Sequence, residues 1–540
     1  MSDLLAGVDV GTSGVKVGLF DPSGHLVGLG RASYGVESPQ PGWAQTDPEL
    51  WWQGFLGALR QACEAGGVEP DGIAALGFSV LFPAVAPLDG QGRALHPALL
   101  YCDQRSLAQV QEIERRIPRA DYEATIGNRL VPGTCAVTSM CWLRDQAPHA
   151  YAAAETLGFA NTFFISRLTG TLATGAFATD PSHAALSGLA DIRDPWRWSD
   201  ALCEVTGIEW ERLPQIVGAA QAIGEVTRAA AVETGLRAGT AVVAGCGDVV
   251  AAAFGAGARL GGAAVYIAGS TDCVAAAMPR PAADSTWVNC AYVKSPGLWP
   301  GLLPREEACA SFARAGATAP NPPLGASQLF PVDRETWLGI GTTTSSGVSI
   351  EWFAREFLPS GDLALMTKLA ASSPPGSNRL LYLPYLQGER TPVWDPQARG
   401  VFIGLTASAG LGDLARAVFE GVAFALRQVI ACAEVEVGEI RAVGGGTRND
   451  LWNQIKADVL NLPLHVLAFQ EMGTLGAALL AGVGGGVYST LEEAARVADR
   501  IADAKIVEPD PARAGLYDEV FALYAELYPQ TKAIMHGLGQ

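Results

Sequence analysis

The stretch GVDVGTSGVKVGLFDPSG, residues 7–24, decides the fold. Two runs of β-forming residues flank Gly11-Thr12-Ser13-Gly14, which reads as a hairpin. Asp21-Pro22-Ser23-Gly24 then turns the chain into a third strand that ends near residue 35. A structural hairpin needs only a two-residue turn rich in Gly or Asn. This one adds a carboxylate, two hydroxyls, a lysine and glycines that let a ligand approach the backbone. Backbone N–H groups on a Gly-rich turn can cradle phosphate oxygens. Thr12 and Ser13 add hydroxyl donors and Lys16 adds a point charge. Asp9 would repel a phosphate directly, so it suits Mg²⁺ or the waters of that ion. Taken alone, the motif also fits an ordinary surface hairpin with an incidental lysine.

Composition narrows the class. A chain of 540 residues exceeds what one hydrophobic core usually serves, which predicts two large domains. With 49% hydrophobic and 17% charged residues it reads as a well-packed globular protein rather than a disordered one. The net charge of −18 excludes a nucleic-acid binder, which needs a basic surface. It also repels anions at long range, so a phosphate site must rest on local donors, a lysine or a cation. The 10 cysteines form no CxxC pair and no zinc spacing, and read as reduced, mostly buried small hydrophobes of a cytoplasmic protein. No signal-peptide pattern is read before Leu4. The most apolar stretch, Ile73 to Leu88, holds Pro83 and Pro87 and is too short to span a bilayer, so no membrane partner is expected.

Downstream, helical patterning covers Pro48–Glu64 with Asp47 as N-cap, and Ile73–Ser79 reads as a buried strand. An amphipathic helix is predicted at Ser106–Ile117, and residues 118–230 read as mainly helical. GTAVVAGCGDVVAAAFGAGA, residues 239–258, is a short strand followed by Gly247-Asp248 and an Ala-rich helix. GGAAVYIAGSTDCVAAAM, residues 261–278, repeats the form of the opening motif, with Gly269-Ser270-Thr271-Asp272 between apolar strands. Two such hairpins predict an internal duplication of architecture, with a boundary near residue 247. Residues 295–335 read as an irregular insertion, Ser408–Ala433 as a strong amphipathic helix with Asp413 at its start, and 512–528 as a terminal helix.

Several constellations carry chemistry. Gly269, Ser270 and Thr271 could grip a polyphosphate from the side opposite Thr12 and Ser13. Asp248 lies where a strand hands over to a helix, the place where open α/β sheets hold functional side chains. It could accept a proton from a substrate hydroxyl, or it could be a plain N-cap. VGGGTRND, residues 443–450, lets a flat ring approach the backbone through Gly444, Gly445 and Gly446. EMGTLGAALLAG, residues 471–482, suits either an adenosine pocket or close helix packing. LPYLQGERTPVWDPQARG, residues 383–400, sets Glu389, Arg390 and Thr391 in a Pro-flanked polar loop that either orients a ligand or locks a turn.

Together these residues resemble the FGGY carbohydrate kinases, over nearly the whole chain and in the family's order. GVFIGLTASAGLGDLARAVFE, residues 400–420, resembles the family's long C-terminal signature, and PYLxGERTP looks most like its xylulokinase branch. The resemblance implies an α/β protein of two actin-like (ribonuclease H-like) domains around a cleft. The divisions expected are 1–247, on the sugar and phosphate side, 248–490, on the nucleotide side, and a helical tail at 491–540. It implies Asp248 as general base and Asp9 tied to Mg²⁺. Thr12, Ser13, Lys16, Gly269, Ser270 and Thr271 are expected around the phosphates of ATP, and Gly444, Gly445, Gly446 and Asn449 at the nucleotide. Asp103 and Arg105 in LYCDQRS, and Thr179-Asp180-Pro181-Ser182, fit sugar-kinase patterns.

Departures fall at the sugar end. Phe82-Pro83 stands where xylulokinases usually show Met-His, Val249 follows the catalytic Asp in place of Asn or Gln, and Ser139 replaces a signature lysine. The expected function is therefore ATP-dependent phosphorylation of a small sugar such as a xylulose-like ketose, with Phe82, Pro83, Asp103, Arg105 and Asp248 at the substrate. A kinase for ribulose, erythritol or gluconate is the first alternative, and a non-catalytic ATP-binding sensor the second. A homodimer is left open.

Overall fold

The computed structural model describes residues 4–171, 177–260, 262–282, 286–292, 336–433 and 436–538, and the insertion expected at 295–335 lies outside them. The opening stretch forms three strands, Leu4–Val10, Gly14–Phe20 and Leu26–Ser33. Val8, Val10, Val15, Val17 and Leu19 fill one face of the sheet, and Leu5 and Phe20 are buried on the other. Helix Pro48–Gly66 lies across it. Asp47 caps that helix by accepting from the Glu49 N–H, and Gly67 closes it in the left-handed region at φ 61°. Its Trp51, Trp52, Phe55 and Leu59 are buried. Burial of a side chain such as Phe55 or Leu59 contributes about 1.5–3 kcal/mol.

Strand Ile73–Val80 runs parallel to the opening strand, with Gly77 opposite Gly7 and Ser79 opposite Asp9. The first sheet runs Leu26–Ser33, Gly14–Phe20, Leu4–Val10, Ile73–Val80, Ala241–Val243, Ala222–Glu225. Its successive pairings are antiparallel, antiparallel, parallel, parallel and antiparallel. The second sheet runs Trp337–Thr342, Asp272–Met278, Ala264–Ala268, Ile440–Val443, Leu464–Leu467, Ala504–Val507, with Val288–Ala291 added at the first edge. Those six strands pair in the identical sequence of senses. The duplication inferred from two similar hairpins is thus a duplication of whole sheets, as in the actin-like ATPase fold.

Helix Met472–Gly484 joins the halves. A Cβ on Gly7 would lie 1.8 Å from the Thr474 carbonyl oxygen, and one on Gly476 would lie 1.9 Å from that of Ala251. Glycine therefore lets this helix seat directly on the first sheet and on helix Asp248–Gly255. Of the two readings of residues 471–482, this face serves close packing. Among the elements of 118–230 are helices Arg119–Ile126, Ala136–Gln146, Ala160–Thr169 and Pro181–Ser187. A small sheet not foreseen in the sequence joins Ala98–Leu100 and Ala84–Leu88 to Gln45–Thr46 and Thr156–Gly158. Helix Leu411–Ala431 buries Val418, Val422, Leu426 and Val429, and the Asp413 carboxylate accepts 2.9 Å from the Gly410 N–H at its start. The last helix, Pro511–Leu538, runs past the expected end at 528 and contains Pro529. Proline costs a helix one hydrogen bond. Here buried Met535 and the His536 ring, 2.6 Å from Asp395, anchor the continuation.

Candidate active site

Asp9 stands next to the end of the opening strand, where the turn begins. Its Oδ1 accepts a 2.6 Å hydrogen bond from Ser79 Oγ on the neighbouring strand. The turn is closed by the Gly11 N–H donating 2.9 Å to the Gly14 carbonyl, and the Tyr34 hydroxyl donates to the Gly11 carbonyl. Thr12 is half-buried and Ser13 exposed. Burial raises the Asp9 pKa, against the opposing pull of Ser79 and Lys16. Lys16 does not hang free over the turn. Its Nζ lies 2.7 Å from Glu471 Oε2, while Arg31 Nη2 holds Glu471 Oε1 at 2.6 Å. The ammonium keeps two further N–H donors, and Glu471 is a carboxylate that sequence reading did not single out.

Asp248 opens helix Asp248–Gly255, and its Oδ1 accepts 2.7 Å from the Val249 N–H. The strand-to-helix turn before it requires glycine at 245, where φ is +69° and a Cβ would lie 2.0 Å from the Phe78 carbonyl oxygen. Burial first, and the nearby Asp9 charge second, push the Asp248 carboxyl up to about 7. The same carboxylate disfavours ionisation of the Cys273 thiol, on the strand that leaves the second hairpin. Asp248 is thus bracketed by the first hairpin through Asp9 and by the second through Cys273. A carboxylate poised near neutrality suits general-base work.

No group of three or more His, Cys, Asp or Glu side chains gathers as a metal cage among the described residues. Mg²⁺ typically takes one or two protein carboxylates and fills its shell with phosphate oxygens and water. Asp9, whose charge raises the cost of ionising the nearby Asp248, fits that pattern as the single carboxylate.

In the second hairpin Ser270 and Thr271 are exposed and Gly269 is half-buried. Its backbone receives the start of helix Ser346–Phe357, the Gly347 N–H donating 3.1 Å to the Gly269 carbonyl and the Val348 N–H 3.2 Å to that of Ser270. Asp272 beneath it is buried, accepts 2.8 Å from the Tyr266 hydroxyl, and faces buried Lys456. Desolvation lowers the Lys456 pKa to about 8. Lys456 Nζ sits 3.7 Å from the Trp452 ring centroid and donates 3.4 Å to the Gly446 carbonyl. The hairpin and the triple-glycine loop therefore rest on one buried cation. In that loop a Cβ on Gly444 would lie 2.4 Å from the Ala268 carbonyl oxygen, whereas one on Gly445 would meet nothing within 4 Å. Gly445 alone presents an open face. Asn449, expected at the nucleotide, is the N-cap of helix Asp450–Leu460, and its amide donates 2.8 Å to Thr367 Oγ1.

Asp103 is 0% and Arg105 1% exposed by side chain, and Arg105 Nε lies 2.8 Å from Asp103 Oδ2. Asp103 also accepts 2.6 Å from the Ala44 N–H, and the guanidinium lies 3.8 Å from the Trp43 ring centroid. Expected at the substrate, the pair is buried with its carboxylate partnered, while Arg105 Nη1 is buried with no partner among the described residues. Pro83 is buried, while half-buried Phe82 packs on Gly247, where a Cβ would lie 2.5 Å from its ring. An apolar ring thereby stands beside Asp248, and half-buried Val249 adds to the apolar side. Asp180 caps helix Pro181–Ser187 and holds His183 Nδ1 at 2.6 Å, while Ser182 Oγ accepts 3.0 Å from the Gly247 N–H. The sequence pattern of these residues is visible, but their grip on the Gly247 backbone is not.

The FGGY family of carbohydrate kinases matches the chain twice, its N-terminal domain over residues 4–255 and its C-terminal domain over residues 314–485. The chain belongs to that family. It is a carbohydrate kinase, and membership implies ATP as phosphate donor. It is 28% identical over 535 residues to the xylulose kinase of Escherichia coli (strain K12), covering 98% of this chain and 99% of that one. It is also 28% identical over 500 residues to a glycerol kinase of Thermococcus onnurineus (strain NA1), covering 91% of each. The crystal structure of xylulose kinase from Rhodospirillum rubrum superposes with a TM-score of 0.83 at 25% identity, covering 99% of this chain and 100% of that one. No helix among the described residues is long and apolar enough to cross a membrane.

Proposed function

We propose that this FGGY kinase transfers the γ-phosphoryl group of ATP to a hydroxyl of a small ketose or polyol in the cleft, with Asp248 as general base. The observation that carries the reading is the Asp248 carboxyl, poised at about 7 between two hydroxyl-bearing hairpins. Transfer of this kind is mostly positioning and charge stabilisation. The turn amides with Thr12, Ser13, Ser270 and Thr271 hold the phosphates, and Gly445 leaves room for the nucleotide. Asp9 holds Mg²⁺, which when bound screens phosphate charge. Asp248 takes the acceptor hydroxyl proton as the new O–P bond forms and the bond to the ADP oxygen breaks. Use of ATP as donor supports a cytoplasmic location.

Xylulose kinases among the relatives support a ketose of that kind. The Phe82 ring over Gly247 and the Val249 side chain favour a second reading, an acceptor that turns fewer hydroxyls toward that wall. A site built without polar partners there gives up discrimination that depends on leaving such groups unpaired. The test is acceptor-dependent ATP consumption on D-xylulose, D-ribulose, L-ribulose, erythritol, glycerol and D-gluconate. At least one acceptor is expected to reach a kcat/KM of about 10⁴ M⁻¹s⁻¹ or more, with D-xylulose ranking low. If D-xylulose ranks first, the second reading is wrong. If no acceptor accelerates ATP consumption, the proposed ketose or polyol acceptor class is wrong.

A further inference from the structure

Carboxylates outnumber Lys and Arg in this chain 55 to 37. Arg390, half-buried, nevertheless makes no side-chain ion pair or hydrogen bond among the described residues. Its place is fixed from the backbone side. Glu389 Oε1 accepts 2.7 Å bonds from both the Arg390 and the Thr344 N–H groups. The Thr391 N–H donates 3.0 Å to the Thr342 carbonyl, and the Thr342 N–H donates 3.3 Å to Thr391 Oγ1. Thr342 in turn is the strand partner of Cys273, two residues after Thr271 in the second hairpin. The loop is thus bound to the strand that carries the phosphate hairpin, and the carboxylate that binds it is buried, so the anchor is rigid.

The charge of the Arg390 guanidinium is felt by the Glu389 carboxyl that anchors its loop. The same charge favours the thiolate at Cys273, where Asp248 is also felt, and at Cys102 in the first half of the chain, one residue before Asp103. Arg390 therefore lies between the halves, within electrostatic reach of the hairpin and of the acceptor side. Of the other cations near the hairpins, Lys16 and Arg31 are held by Glu471 and Lys456 is buried facing Asp272. An unpartnered guanidinium is planar, always charged and suited to grip two oxygens of one anion, whereas a neutral sugar would not repay its desolvation.

We propose that Arg390 is a catalytic residue that binds the phosphoryl group in transit and the phosphate of the sugar phosphate product. This rests on the kinase reading above and adds a specific residue to it. Two oxygens of the transferring group meet the guanidinium as negative charge spreads over them. Asp248 works on the acceptor hydroxyl, and Arg390 on the group that hydroxyl attacks.

The experiment compares the parent with Arg390→Met, Arg390→Lys and Arg390→Ala in two arms. In the first, inorganic phosphate is titrated into the full-length protein saturated with MgADP. Phosphate affinity is expected to fall at least about tenfold in Arg390→Met, and less in Arg390→Lys. A parent that does not bind phosphate, or a change below about twofold, overturns the proposal. In the second arm kcat is expected to fall about 10²–10³-fold, as for loss of one charge-stabilising group, with the acceptor KM within about threefold. A raised acceptor KM at unchanged kcat overturns it, because that split marks uniform binding of the acceptor. Added guanidinium is expected to restore activity to Arg390→Ala; a folded variant that it cannot rescue counts against the proposal, as does an unchanged kcat. A parent that phosphorylates no acceptor but loses phosphate affinity on substitution refutes the proposed acceptor class and leaves the anion site standing.

Discussion

Replacing Asp248 by Asn separates what the carboxylate does for catalysis from what it costs the fold. The amide keeps an oxygen for the Val249 N–H but cannot take a proton. The native carboxyl sits at about 7 against an ordinary value of 3.8, chiefly because burial and then Asp9 disfavour its charge. At about 1.4 kcal/mol per pKa unit, the shift corresponds to an upper limit of about 4 kcal/mol of destabilisation above pH 7. Water reaches this half-buried group, so about 1–2 kcal/mol is the working expectation. The sign follows from proton counting. Between about pH 4 and 7 the folded chain holds a proton that the unfolded chain has released, so stability falls as pH rises through that window. Asp248→Asn is therefore expected to melt about 2–6 °C higher than the parent at pH 8, and level with it at pH 4. Its turnover is expected to fall about 10²–10⁴-fold, with MgATP affinity retained. The parent's acceptor kcat/KM is expected to rise with pH to a plateau above about 7. A variant within threefold of parental turnover refutes the base assignment. One that melts lower at pH 8 refutes the burial argument.

Asp9→Ala is expected to raise the Mg²⁺ concentration for half-maximal rate about tenfold or more while leaving acceptor binding nearly unchanged; a superimposable Mg²⁺ titration rules out the metal role. Asp103→Asn strips a buried guanidinium of its charge partner and is expected to cost about 3–5 kcal/mol, seen as a lower melting temperature; a raised acceptor KM with normal melting would instead show that Asp103 touches the substrate. Val249→Asn places a hydrogen-bonding group on the apolar wall and is expected to raise kcat/KM for D-xylulose without improving the best acceptor. Equal or lower D-xylulose activity in that variant contradicts the account of the wall.

The two hairpins proposed to hold phosphate were legible in the sequence because they are local. A turn that offers its own amides must contain the glycines and hydroxyls that shape it, and these are contiguous at 11–14 and 269–271. Gly245 and Gly247 before Asp248 are visible for the same reason, since the strand-to-helix turn leaves no room for a Cβ. The identity of the two sheets was half legible: the hairpins announced it, but the shared order of parallel and antiparallel pairings depends on strands as distant as Ile73–Val80 and Ala241–Val243. Pairings across the chain left no local trace. Nothing near Lys16 signals that Glu471 holds it, and nothing near Asp9 signals Ser79.

Recognition of the acceptor sugar follows the opposite rule. Neutral hydroxyls are read by side chains converging from separate segments, and here the wall near Asp248 is assembled from Phe82, Ser182 and Gly247, with Asp103 and Arg105 behind it. Each is a recognisable residue in a recognisable pattern, yet the pattern does not say which way the side chain points. Asp103 and Arg105 illustrate the consequence: their spacing suits a ligand pair, but it does not show that the carboxylate oxygens are engaged by Arg105 and Ala44. The same reasoning raises the standing of Arg390. Its polar loop is local enough to read, its anchor through Glu389 and Thr342 is not, and only the folded chain shows a guanidinium held in place with no hydrogen-bond or ion-pair partner among the described residues. A buried anchor beneath an unpaired charge is an arrangement that pure stability does not call for, since Glu389 could have bound the loop without an arginine above it. An incoming phosphate supplies the missing partner.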